Sequence, residues 1–290
     1  MQDCAEHKAL QIDVDSLLQQ RLPRLYGWLP RLAVRWIERT IHQDELNELL
    51  RAVGSRTGVA AADAALSHMG IKLNVSGLEH LPQGRRLALV SNHPLGGLDG
   101  LALISIMGHR FGADGIRFMV NDLLMAVEPL RCLFLPVNKF GRQSRQGAGM
   151  IEREWAGSRQ MLTFPAGLCS RMMPDGSIHD LPWRKSFVAH AVASHRDVVP
   201  IYFNARNSSF FYRLAKFRQR IGLKFNIEMI YLPSEMLKCR GTTLDISIGK
   251  PIGWSTLDAA HPVQEAQRLC DMAYALGRQP AQMRGDTATV

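Results

Sequence analysis

The sequence predicts an α/β fold: a mostly parallel mixed sheet flanked by helices, preceded by an N-terminal helical segment over residues 1–69. Three observations predict it. Hydrophobic periodicity is helical through residue 68 and turns to alternation at Ile71. From there, short apolar runs alternate with helix-like stretches, the pattern of parallel strands joined by helices. Two of the runs end directly in polar loops containing glycine, one at His93 and one at Gly167, and strand ends of this kind are where α/β sheets collect ligands.

In the N-terminal segment, Val14, Leu17, Leu18 and Leu22 recur at helical spacing, and Pro23, Gly27 and Pro30 punctuate the stretch that follows. Leu25, Trp28, Leu29, Leu32, Trp36 and Ile37 keep to one side of a helix, while Arg24, Arg31, Arg35 and Arg39 fall elsewhere. Such a face suits either an anionic membrane surface or packing on the next domain. Ile71–Val75 alternates as a half-buried strand, and Leu87–Val90 is a continuous apolar run fit for a strand covered on both faces. Ile116–Val120, Cys132–Leu135, Met161–Phe164, Val198–Phe203, Phe225–Ile230 and Leu244–Ile248 read as further strands, and residues 257–276 as a closing helix. Phe210, Phe211, Leu214, Phe217 and Ile221 can share one face of a helix whose other positions hold Arg213, Lys216, Arg218, Arg220 and, just beyond, Lys224. The α/β domain spans 70–277, and the polar tail 278–290 reads as frayed.

A chain of 290 residues with a 46% hydrophobic fraction can bury a full core. Its 35 basic against 26 acidic side chains give a net charge of +9, so the expected partner is anionic: lipid headgroups, an acidic carrier protein or coenzyme phosphates. Nucleic acid is disfavoured, because no reader motif accompanies the charge. Cys4, Cys132, Cys169, Cys239 and Cys270 are odd in number and lack metal-ligand spacing, which implies reduced thiols and no structural metal. The first residues lack the basic start and apolar core of a secretory signal, and no apolar run approaches the roughly 20 residues needed to span a bilayer. The expected location is cytoplasmic, with peripheral contact at the inner face of the membrane.

The loop Asn92-His93-Pro94-Leu95-Gly96-Gly97-Leu98-Asp99-Gly100 carries the chemistry. A histidine that a nearby aspartate orients is the minimum equipment for drawing a proton from a hydroxyl. Gly96 and Gly97 let the loop bring His93 and Asp99 together and let a substrate approach the backbone.

Asn92-His93 with Asp99 resembles the Asn-His-x4-Asp signature of the glycerolipid (lysophosphatidate-type) acyltransferases, and Phe164-Pro165-Ala166-Gly167 resembles their Phe-Pro-Glu-Gly block. Phe134-Leu135-Pro136-Val137 and Val199-Pro200-Ile201 fall where the other blocks of that family lie, so the likeness runs in order over residues 70–252. One extra residue separates His93 from Asp99, and Ala166 stands where the family has glutamate. With Ser170-Arg171 after the block, these departures resemble the branch labelled hemolysins, which is related to the O-acyltransferases of ornithine- and glycine-lipid synthesis.

The resemblance implies acyl transfer from an acyl carrier protein or coenzyme A thioester to a lysolipid hydroxyl, with no resident cofactor. His93 is then the base and Asp99 its orienting partner. Backbone N–H groups of Gly96, Gly97 or Gly167 face the oxyanion. Arg171, beside Ser170, grips an anionic headgroup through its planar fork. Asn92, Asn138, Lys139, Arg142 and Arg206 stand at strand ends as further substrate-binding candidates. The lost glutamate favours a lyso-amino-acid lipid over lysophosphatidate. Two other classes stay open: a thioesterase or cysteine hydrolase using Cys169 as nucleophile, and a non-enzymatic basic membrane-binding protein.

Overall fold

The computed structural model describes residues 11–21, 23–28, 30–137, 145–223, 225–278 and 287–289. Five helices come first: α1 (Val14–Arg21), α2 (Pro23–Tyr26), α3 (Arg31–Thr40), α4 (Gln43–Val53) and α5 (Gly58–His68). The first half of the α/β unit contains β1 (Lys72–Ser76), β2 (Leu87–Ser91), α6 (Gly97–Phe111), β3 (Ile116–Asn121), β4 (Phe134–Val137), α7 (Arg145–Ala156) and β5 (Gln160–Thr163). A small hairpin of β6 (Arg171–Met172) and β7 (Ile178–His179) follows, then α8 (Ser186–Ala193), β8 (Asp197–Phe203) and α9 (Ser209–Arg220). The chain closes with α10 (Leu232–Lys238), β9 (Thr243–Ile248), α11 (Pro262–Arg278) and β10 (Thr287–Thr289).

The main sheet has the order β10-β1-β9-β8-β2-β5-β3-β4, with antiparallel pairing where β8 meets β9 and where β1 meets β10. The α/β class and mixed, mostly parallel sheet are as the sequence predicts. All five residues of β2 are buried, as a strand flanked by helices on both faces requires. One core layer joins the sheet to α4, α5 and α6; the other joins it to α7, α8 and α11. The first layer depends on a close crossing of α5 and α6. A Cβ on Gly108 would lie only 2.2 Å from Val59 Cγ2, so any larger residue would push the two helices apart. Among the described residues, no helix is long and apolar enough to cross a membrane.

Four local expectations are corrected. Residues 225–230 do not form a strand; Ile227–Tyr231 is a 3-10 helix that turns Glu228 fully inward, and the antiparallel β9 occupies the place beside β8. Cys132 and Leu133 end a 3-10 helix, and the strand begins at Phe134, where pairing with Phe118 of β3 sets the register. The last helix begins at Pro262 rather than 257, because Asp258 Oδ1 accepts the N–H groups of Ala260 and His261 in a turn and proline is favoured at a first helical position. Within the tail read as frayed, residues 287–289 pair antiparallel with Asn74–Ser76; this covers the otherwise open edge of β1.

Candidate active site

β2 lies between β5 and β8, parallel to both, so the loops that follow all three strands gather at one edge of the sheet. The first of these loops is held from several sides. Asn92 is buried; its Nδ2 donates to the Phe203 carbonyl at 3.0 Å, and its Oδ1 accepts the Phe203 N–H at 2.7 Å. Its side chain thus acts as one more rung between β2 and β8. The His93 N–H donates to Asp180 Oδ1 at 3.2 Å, and the His93 carbonyl accepts the Ser170 N–H at 2.9 Å.

On this clamped backbone, His93 Nδ1 lies 3.1 Å from Asp99 Oδ2, and the imidazole stacks on Phe164 with ring centroids 3.9 Å apart. Asp99 sits in the first turn of α6, fully buried. The same Oδ2 also accepts the N–H groups of Leu95 at 2.8 Å and Gly96 at 3.1 Å. Gly96 adopts φ +82, and a Cβ there would come within 3.3 Å of both Cys169 Sγ and a Leu232 methyl. The glycine is therefore required by conformation and by space.

Burial pushes the Asp99 carboxyl up, against the pull of His93 and the two backbone donors. At His93, burial opposes the imidazolium, but the neighbouring Cys169 and the hydrogen bond to Asp99 favour it more, and the pKa is raised to about 10. A base with a raised pKa is mostly protonated at neutral pH, so its acid limb in a rate profile lies above the ordinary histidine range. Removing Cys169 removes the strongest stabiliser of the imidazolium. Cys169→Ala is expected to keep transfer activity and to shift that limb toward neutral pH, as measured by kcat/KM against pH. A thioester-linked acyl group trapped on Cys169 of the unaltered protein would instead establish it as a nucleophile.

The other sequence candidates fall differently. The N–H of Gly96 is committed to Asp99, and that of Gly167 donates to the Phe164 carbonyl in a turn, so neither is oriented for an oxyanion. Gly97, the first residue of α6, keeps an N–H that no intrahelical carbonyl can accept. Ser170 is buried, with Oγ donating to Asp180 Oδ1 at 2.6 Å. Arg171 does not reach outward for a headgroup. It is 5% exposed, lies over the Phe211 ring, and pairs with Glu228 at 3.0 Å; Arg218 pairs with the other oxygen of Glu228, also at 3.0 Å. Arg206 is exposed at the end of β8, on the rim of a cavity that Asn92 and Ser170 also line. Asn138, Lys139 and Arg142 lie outside the described residues, as does Lys224.

Sequence reasoning missed Asp180, the residue that joins two of the loops. It is 2% exposed and holds the His93 N–H, the Ser170 hydroxyl and the Trp183 indole N–H together. In sequence it is one acidic residue among 26, and only its Pro-Trp neighbourhood sets it apart.

A histidine held by a buried carboxylate at a parallel strand end, facing a second glycine loop, has the composition that moving a proton to or from a hydroxyl requires. The family model described as acyltransferase matches residues 16–276, and the chain belongs to that family. It is 44% identical over 266 residues to a lyso-glycine lipid O-acyltransferase of Phocaeicola vulgatus, covering 91% of this chain and 95% of that protein. It is 42% identical over 267 residues to a lyso-glycine lipid O-acyltransferase of Bacteroides thetaiotaomicron, covering 91% and 97% respectively. The crystal structure of the 1-acyl-sn-glycerophosphate (LPA) acyltransferase PlsC from Thermotoga maritima aligns with a TM-score of 0.46 at 17% identity, covering 76% of this chain and 83% of that one.

Proposed function

We propose that this acyltransferase moves a fatty acyl chain from an acyl carrier protein or coenzyme A thioester onto the hydroxyl of a lyso-amino-acid lipid, at the inner face of the cytoplasmic membrane. The observation that carries the reading is the His93–Asp99 pair, set at the end of β2 in a chain so similar to two lyso-glycine lipid O-acyltransferases. In this mechanism, His93 Nε2 takes the acceptor's hydroxyl proton as its oxygen attacks the thioester carbonyl. Asp99 stabilises the imidazolium that forms, by the logic of a hydrolase triad without an enzyme nucleophile. The Gly97 N–H faces the oxyanion. The tetrahedral intermediate collapses to the ester, and the departing thiolate takes the proton from His93. Purified protein, given lyso-glycine lipid and either thioester, is expected to yield the diacyl product. Turnover of lysophosphatidate instead, or thioester hydrolysis without transfer, would reject this reading.

A membrane surface is the third partner. Trp28 is 89% exposed and Leu32 77%, and with Trp36 they border Arg31, Arg35 and Arg39 on the outer side of the N-terminal segment. On α9 the expected single apolar face divides. Phe211 turns inward with Arg218, which the buried Glu228 draws in, while Phe210, Phe217 and Ile221 stay exposed near Arg213 and Arg220. Tyr231 links the two regions, with its ring 6.5 Å from Trp36 and 5.0 Å from Phe210. Apolar side chains among arginines fit an anionic bilayer interface. Trp36→Glu with Phe217→Glu is expected to weaken binding to anionic vesicles at least about tenfold in cosedimentation, since each change removes an apolar anchor and adds repulsion. The thermal midpoint should fall only slightly, because Trp36 gives up its edge contact with Tyr231. Equal binding of both proteins would remove this surface from the reading.

A further inference from the structure

A polar cavity of about 280 Å³ lies against Asn92 and Pro94, the two residues that flank His93. Its lining includes Ser170, Ser177, Tyr202, Tyr274 and, at the end of β8, Arg206. The loop carrying Arg206 is fixed to the loop carrying His93, because Asn207 Nδ2 donates to the Pro94 carbonyl at 2.9 Å. Cavity and dyad therefore share one wall.

The chemistry of the lining is one-sided. Among the described residues it contains no aspartate or glutamate. The nearby carboxylates are engaged: Asp175 accepts from the N–H and hydroxyl of Ser177, and Asp180 from His93, Ser170 and Trp183. Among the described residues, Arg206 has no acidic partner. A guanidinium without an acidic partner recognises a carboxylate through charge-assisted hydrogen bonds and repels an ammonium.

That distinction bears on how the headgroup of an amino-acid lipid is attached. An amino acid joined to a fatty chain through its nitrogen keeps a free carboxylate and loses its ammonium; joined through its carbonyl, it keeps the ammonium. We propose that this cavity binds the free carboxylate of an N-acylated amino acid, with Arg206 as its counter-charge. It favours glycine over ornithine, because the second ammonium of ornithine would enter a lining with no acid to receive it. The inference rests on the reading of a lyso-amino-acid lipid acceptor and narrows it to one attachment and one headgroup.

The test uses the full chain and probes that cannot be acylated. N-palmitoylglycine, its methyl ester and N-palmitoylornithine lack the reacting hydroxyl, and their dissociation constants are read by calorimetry. The unaltered protein is expected to bind the acid about 10- to 150-fold more tightly than the ester, the range for one charge-assisted hydrogen bond, and more tightly than the ornithine compound. Arg206→Gln should lose that preference for acid over ester, and Arg206→Lys should retain part of it. All three proteins should melt together, since Arg206 is exposed. Equal binding of acid and ester by the unaltered protein, or a preference that survives in Arg206→Gln, overturns the proposal. Because no turnover is involved, the outcome is separate from that of the acyl-transfer assay. Discrimination here with no diacyl product there would reject the reaction and leave the carboxylate site standing; product without discrimination would do the reverse.

Discussion

His93→Ala is expected to lose about 10²- to 10⁴-fold in kcat, the usual contribution of a positioned general base. The fold should survive, because the main-chain groups of His93 that bind Asp180 and Ser170 remain in the alanine variant. Asp99→Asn should fall by a comparable factor for a different reason. An amide can still accept from Leu95 and Gly96, but it cannot balance the imidazolium that forms during proton transfer. Single-turnover rates with a saturating thioester donor check both variants. Transfer at the unaltered rate in His93→Ala would eliminate the base from the mechanism.

The largest effect on stability is expected at Glu228. This carboxylate is fully buried between Arg171 and Arg218, which are themselves only 5% and 8% exposed. Glu228→Ala leaves two guanidinium groups facing each other without a counter-charge. Removing one partner from a buried ionic group costs about 3–5 kcal/mol. For a domain of this size, that lowers the thermal midpoint by about 6–20 °C. Replacing the group as a set, with Arg171→Met, Glu228→Leu and Arg218→Met together, should recover most of the loss, because well-packed apolar side chains do not carry the desolvation cost of charges. Differential scanning calorimetry of the two variants is the check. A midpoint within about 2 °C of the unaltered protein in Glu228→Ala would mean that the cluster contributes nothing to stability.

What could be read from the sequence was whatever depends on neighbours along the chain. The continuous apolar run of β2 and the loops beginning at His93 and Phe164 declare themselves locally, and parallel pairing then brings those loops together. Asp99 was legible because its distance from His93 is fixed by one tight turn. Partners that meet only across the fold left no such mark. Phe225, Ile227 and Met229 alternate with polar residues as a strand would, but Glu228 is drawn inside by two distant arginines and the segment coils instead. Arg171 has the side chain of a headgroup receptor and is buried by that same glutamate. Arg218 follows it inward, which splits an apolar face that helical spacing alone would keep whole.

The loop bearing His93 is braced by Asp180, Phe203 and Asn207, residues made 87 to 113 positions later. A ribosome that has released the chain as far as Ser170 has delivered both members of the dyad and none of these three braces. During synthesis, the His93–Asp99 pair therefore cannot be locked in place until β8 and the turn after it have emerged and β8 has docked beside β2. Loop closures of such length slow folding, so acquisition of activity should trail collapse of the core. The arrangement around His93 is thus expected to form late, after most of the body around it.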